Sequence, residues 1–461
     1  MMSKLKNLLC SVLFLSTFLN LNGQDFDCFA ILAGKNATAD GSVLFAHNED
    51  DGGEQMLNMY VVPANPAKGT AKYIWAEFPG QSVADAFMNE YGVAVASDAC
   101  PSVENNPELA DGGVLYEIRV NVAKYAHSAK DAVKIIGKLV EQYGYRSSGR
   151  TYTVADCNEG WTVSIVNGKH WVAQRIPDDM VMVIPNNYVI DKVNLADTNN
   201  FAGSKDLIEY AQSRGWYDPQ RDGEFSFKKA YTSKSAYVSK RNVIRNQKAL
   251  EYLTRKDYPE DPDKFQFAVR PAKKVTLEDM MNMLSIHNHN SEAARKGNHP
   301  HCICYNTTIV STIFQLKSKL PKDIGCIMWT AAGPPCIEAY VPWHLGMSQA
   351  PKGFARFANA DEAEAKHFSD AKDLRKNYGS GIYWKFVDRW SRISKDYANL
   401  APVQTKNKLK LQKEIFKIQR KTEKYLMKNI YTTGVMTLQY PSPVERTLNE
   451  VTERLYEMVI Q

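Results

Sequence analysis

From Cys28 to Asp51 the chain runs through two apolar stretches separated by a turn signal, and no other pattern restricts its fold as much. Cys28-Phe29-Ala30-Ile31-Leu32-Ala33 and Val43-Leu44-Phe45-Ala46 both have strand character, and Asp40-Gly41 between them favours a reversal. A hairpin centred on that turn returns Asn48-Glu49-Asp50 towards Cys28. At about 3.3 Å per residue the remaining offset is roughly 7–10 Å, which a bulge would narrow. Alternation places Asn48 and Asp50 on one face of the second strand and His47 and Glu49 on the other.

Upstream, Lys4 and Lys6 precede an apolar run from Leu8 to Leu19. That run suits a secretory signal and is short for a membrane span. Residues 1–23 are therefore read as a signal peptide and 24–27 as a short propeptide, giving a secreted or periplasmic protein without stable membrane insertion. Cys10 lies inside the run without small residues before it, which argues against a lipid anchor. The 57 Lys and Arg against 51 Asp and Glu leave a net charge of only +6 over 461 residues, so nucleic acid is not expected as a partner.

Export changes the meaning of the cysteines. Without Cys10, seven remain, so in an oxidising compartment at least one is unpaired, joins another chain or works as a thiol. Cys28 has the most unusual position, because a cut between Asp27 and Cys28 would make it the first residue. Its thiol (reference pKa about 8.5) and α-amine (about 7.7–8.0) would then form a nucleophile and general base on one residue.

The residues around Cys28 sharpen this expectation. Cys28-x-x-Ile31-Leu32-x-Gly34-Lys35-x-Ala37-x-x-Asp40-Gly41-Ser42, ending in Ala46-His47-Asn48-Glu49-Asp50, resembles the start of the cysteine dipeptidase A family. These are N-terminal nucleophile (Ntn) hydrolases related to bile salt hydrolases and penicillin V acylases. Weaker matches follow in order: Asn89-Glu90-Tyr91-Gly92-Val93-Ala94, Arg175 to Asp179 with Ile184 to Asn187, Tyr237 to Arg241, and Ala339 to Trp343.

The resemblance implies an α+β fold, a four-layer αββα sandwich with the nucleophile at the start of a central strand. It also implies dipeptide substrates and no cofactor or metal. Carried over by position, Cys28 is the nucleophile, Asp50 holds its α-amine, Asn186 stabilises the oxyanion and Arg241 supports the site electrostatically. Asn187 and Arg245 stay open as alternatives to Asn186 and Arg241. His47, Asn48 and Asn187 are expected at the substrate. His47 stands where related hydrolases often have arginine, which affects carboxylate binding and pH dependence.

The remaining chain is expected to be scaffold. Helical spacing covers residues 113–143, a strand meander covers Thr151–Pro185, a helix starts at Thr276, and strands cover 305–317 and 323–330. Residues 28–400 are read as the catalytic domain. Residues 401–461 are a helical extension packed on it, including a Lys-rich amphipathic helix over 405–429.

His287-Asn288-His289 and His299-Pro300-His301-Cys302-Ile303-Cys304 have zinc-like residue types but no zinc-hydrolase spacing, so no metal is expected. Cys302 and Cys304 are instead expected on one strand face, pairing with Cys326 or Cys336. The leading activity is dipeptide hydrolysis through a thioester. A linear-amide acylase acting on N-acyl amino acids and a noncatalytic envelope binding protein are the alternatives, and a homo-oligomer is compatible with either.

Overall fold

The computed structural model describes residues 28–51, 55–369, 371–431 and 441–461. The expected signal peptide and propeptide lie outside the described residues.

The strands are β1 (Phe29–Ala33), β2 (Val43–Asp50), β3 (Asn58–Val62), β4 (Tyr73–Glu77), β5 (Ala86–Asn89), β6 (Ala94–Ala99) and β7 (Tyr145–Ala155). They continue with β8 (Gly160–Gly168), β9 (Trp171–Arg175), β10 (Val181–Ile184), β11 (Phe201–Gly203), β12 (Thr308–Leu316), β13 (Cys326–Ala332) and β14 (Val341–His344). The longer helices are α1 (Tyr116–Tyr125), α2 (Ala129–Tyr143), α3 (Lys240–Thr254), α4 (Leu277–Leu284), α5 (Tyr383–Ser394), α6 (Tyr397–Leu426) and α7 (Pro443–Val459).

Two antiparallel sheets result, one ordered β10-β1-β2-β12-β13-β14 and the other β11-β9-β8-β7-β6-β5-β4-β3. Their inner faces pack together. Leu32 of β1, for instance, fills the space a side chain at Gly160 of β8 would need. On the outer face of the second sheet, α1 and α2 bury Ile118, Val122, Ile136 and Val140 against Trp161 and Val163. On the outer face of the first, α3, α4 and α7 pack on β10, β2 with β12, and β14. The layers are therefore α, β, β and α, as expected.

Burial on both sides explains why β2 reads VLFAHNED rather than alternating. All eight of its residues are buried, polar ones included, so each polar group needs a partner inside the protein.

The β1–β2 connection is not a tight hairpin. Its loop docks on residue 275, with Val275 N donating to Ala37 O and Ala39 N donating to Val275 O, both at 2.9 Å. This long-range anchor, rather than the Asp40-Gly41 turn, sets the register. Phe29 pairs with Asn48 and Ala30 with His47, so Cys28 stands opposite Glu49 and no offset remains. Gly34 ends β1 beneath residues 178–180, where a Cβ would lie 2.5 Å from the Asp178 carbonyl oxygen.

Helix signals were locally readable. Thr276 and Asp279 form a complete capping box on α4, and Ser239 caps α3 by accepting from Asn242 N. The boundary expected at residue 400 falls inside α6, which starts at Tyr397. Cys302–Cys304 is loop rather than strand, which corrects the expected strand face. Among the described residues no helix is long and apolar enough to cross a membrane.

Candidate active site

Cys28 sits at the head of β1 and is 1% exposed. Directly paired residues in an antiparallel ladder point to the same face, and the Cys28 thiol accordingly donates to Glu49 Oε1 at 3.1 Å. His47 lies on the same face, and ligating atoms of Cys28, His47 and Glu49 are all within 4.8 Å of one another. These residues point towards the second sheet. There His47 Nε2 is 3.6 Å from Asp98 Oδ1 on β6, and Arg150 on β7 donates to Ser97 Oγ at 3.2 Å and to the Tyr145 hydroxyl at 3.0 Å.

The charges in this layer are unevenly compensated. Burial, reinforced by Glu49, Asp98 and Asp50, pushes the Cys28 thiol well above its ordinary range, and Arg150 opposes this. Burial pushes Glu49 up to about 7 against the pull of His47, the thiol and Arg150. His47 is raised: burial works against its charge, but Asp98, Glu49 and Asp50 together outweigh it. The ground-state thiol is thus protonated near neutral pH, and its reaction requires a partner to take the proton.

The helical side of β1 fixes the backbone of Cys28. Arg245 of α3 spans two groups, donating through one nitrogen to Cys28 O and through another to Asn186 Oδ1, each at 2.7 Å. Its guanidinium lies 5.0 Å from the Phe29 ring centroid and 6.0 Å from that of Tyr305. Asn186 follows β10 at a positive φ of 64° and donates to Ala99 O at 3.1 Å. Asparagine tolerates this backbone region better than most residues. Of the two arginines left open by sequence, Arg245 makes these contacts, and Arg241 sits one turn earlier, half-buried. Asn186 rather than Asn187 is tied to Cys28. The Asn187 amide donates to Tyr188 O.

Asp50 and Asn48 point to the other face from the thiol. The Asp50 carboxylate accepts from the Thr308 hydroxyl, and its carbonyl oxygen is 4.0 Å from Cys28 Sγ. Asn48 is an anchor: its amide donates to Leu284 O and Ile303 O at 3.1 and 2.9 Å and accepts from Ser311 Oγ at 2.6 Å. Both its donor and its acceptor are therefore engaged by the fold. Sequence reasoning missed Glu49, Asp98 and Arg150. For Glu49 the signal was present, since it shares a face with His47, but the register that brings it to Cys28 was not.

A cavity of about 330 Å³ adjoins this shell at Thr308. Its lining includes Asp51, Arg375, Trp384 and Trp390.

The expected cysteine pairs also differ. All seven described cysteines are free thiols. Cys326 Sγ lies 3.3 Å from Cys157 Sγ, and Cys304 and Cys336 gather with His287 and His299, all four ligating atoms within 4.8 Å of one another.

A cysteine at the head of an inner strand, between two facing antiparallel sheets covered by helices, defines the αββα class expected for an Ntn hydrolase. The chain has relatives of known name. A probable dipeptidase of Latilactobacillus sakei is 27% identical over 411 residues, covering 79% of this chain and 85% of the relative. Dipeptidase A of Lactobacillus helveticus is 26% identical over 375 residues, covering 71% and 77%. A solved penicillin V acylase from Agrobacterium tumefaciens is similar at 12% identity with a TM-score of 0.34, covering 68% of this chain and 86% of that one. Residues 64–392 match the description Peptidase family C69. The chain belongs to this family and is a peptidase.

Proposed function

We propose that the chain is an exported cysteine dipeptidase whose nucleophile is the Cys28 thiol, freed as the first residue when residues 1–27 are removed. The observation that carries this reading is the setting of Cys28. Its thiol meets a carboxylate at 3.1 Å, and its carbonyl is tied through Arg245 to Asn186. The family match begins at residue 64, so the nucleophile assignment rests on this geometry.

In the proposed cycle the thiol attacks the substrate carbonyl and its proton passes to the α-amine of Cys28. Glu49, held near neutrality, is placed to relay it. Asn186 and backbone donors stabilise the oxyanion, a contribution typically of several kcal/mol. The protonated base releases the leaving amine, and water hydrolyses the thioester. Asp51 and Arg375 in the adjoining cavity carry the two charge signs that a zwitterionic dipeptide presents.

Intact-mass analysis together with a panel of dipeptides and N-acyl amino acids tests this reading. The expected result is a mature chain starting at Cys28 that hydrolyses dipeptides and leaves N-acyl amino acids intact. Retention of Asp27 on the active protein rules out the N-terminal mechanism, and preference for N-acyl amino acids reassigns the chain as an acylase.

A further inference from the structure

A second buried cluster lies away from the Cys28 thiol. His287 follows α4, His299 and Cys304 lie on the returning loop, and Cys336 sits in the turn after β13. Ile286 O accepts from both Ile303 N and Cys304 N at 3.1 Å, and Asn288 N donates to Pro300 O at 3.0 Å, which clamps the two arms of the loop together. The turn carrying Cys336 is held from α6: Thr405 Oγ1 donates to Cys336 O at 3.1 Å, and Lys408 Nζ donates to Pro335 O at 2.8 Å. Side chains from two separate chain segments are thus brought to one point. Aromatic rings enclose it, with Tyr397 and Trp390 edge-on to His299 at 5.1 and 5.4 Å.

The spacing of the donors is specific. His299 Nε2 lies 3.6 Å from Cys304 Sγ and 3.7 Å from Cys336 Sγ. For a tetrahedral zinc with Zn–S of about 2.3 Å and Zn–N of about 2.0–2.1 Å, the S···N edge is about 3.6 Å. The fourth donor comes from His287, a half-buried residue whose imidazole is hydrogen-bonded to Cys336 and has its ligand atom within 4.8 Å of the other three. A Cys304–Cys336 disulfide would need the sulfurs at about 2.05 Å and would leave the imidazoles without a role.

From this geometry we infer that His287, His299, Cys304 and Cys336 form a structural zinc site. Two thiolates and two neutral imidazoles carry a charge of −2 that Zn²⁺ neutralises, and they close a tetrahedral set with no position left for water or substrate. Soft sulfur ligands select against magnesium and calcium, which take oxygen donors. Binding displaces the two thiol protons to solvent, so loading is favoured as pH rises. The site fastens the loop that leads directly into Tyr305 and Thr308, and hence the wall supporting Arg245 and Asp50. It is independent of the chemistry assigned to Cys28.

The test is elemental analysis of the full-length chain, produced without a polyhistidine tag and purified without chelator. The expected result is about one zinc per chain, with X-ray absorption showing two sulfur and two nitrogen neighbours. Stripping with a chelator is expected to lower Tm, and Zn²⁺, but not Mg²⁺, to restore it. Cys304→Ser is expected to lose the metal, and Cys302→Ser, two residues before Cys304 and not a ligand, to keep it. Should Cys304→Ser fail to fold, the wild-type absorption spectrum decides. Wild-type protein that takes up no zinc after incubation with Zn²⁺, a zinc shell without sulfur, or peptide mapping that finds a Cys304–Cys336 disulfide each overturns the inference.

Discussion

Two buried clusters place cysteine beside titratable side chains, and they differ in what surrounds the sulfur. Cys28 faces Glu49, with Asp50 and Asp98 close enough to disfavour its thiolate. Cys304 and Cys336 face the imidazoles of His287 and His299. Carboxylates around a lone thiol keep it protonated until a base acts, which suits a nucleophile fired only during attack. Imidazoles around a pair of thiols offer a soft, neutral set of donors, which suits a metal. On the two proposals the same residue type serves chemistry in one place and cohesion in the other, and the neighbours decide which.

The largest expected effect separates the two clusters directly. Cys28→Ala should reduce dipeptide hydrolysis by at least about a thousandfold, because no other group replaces the nucleophile. Full activity in that variant, measured as kcat/KM, breaks the comparison at its first half. Glu49→Gln keeps the shape and removes the proton-accepting group. A loss of about a hundredfold in kcat is expected, the lower end for general acid–base catalysis, together with loss of the pH-rate inflection near 7. An unchanged pH profile would reduce Glu49 to a packing group.

Arg245→Lys should cost about tenfold in kcat/KM, because an ammonium does not reproduce the two-pronged bridge from Cys28 O to Asn186. The smallest effect is on stability. Glu49 is neutral in the folded protein up to about 7 but ionises near 4.5 when unfolded, so the native state holds the extra proton between those values. Its contribution to stability therefore declines as pH rises from about 4.5 to about 7. The Tm of Glu49→Gln should fall less steeply over that window than that of the parent, and parallel curves would show that Glu49 titrates normally.

Much of the frame was legible because it rests on local signals. The apolar runs of β1 and β2, the helical spacing through α1 and α2 and the capping pair Thr276 and Asp279 each act within a few residues. Export, by contrast, was read from residues outside the described structure. Glu49 was readable as a partner of His47 but not of Cys28, because the register depends on a loop docking at Val275, far along the chain. Arg241 and Arg245 share a helix only one turn apart, and sequence had no measure of which one reaches β1. Cys302 and Cys304 alternated like strand residues, yet the loop they occupy is bonded to Ile286 rather than to a sheet.

Local pattern was enough to show that a cysteine heads a strand and that strands and helices would layer into an α+β protein. Periodicity and capping are properties of neighbouring residues, so these features need no knowledge of the rest of the chain. Which carboxylate meets Cys28, which arginine bridges it to Asn186, and the convergence of four donors from two separate segments emerge only in the folded layers. Those choices depend on register and on long-range hydrogen bonds, whose energies are set by contacts that exist only once the layers have closed.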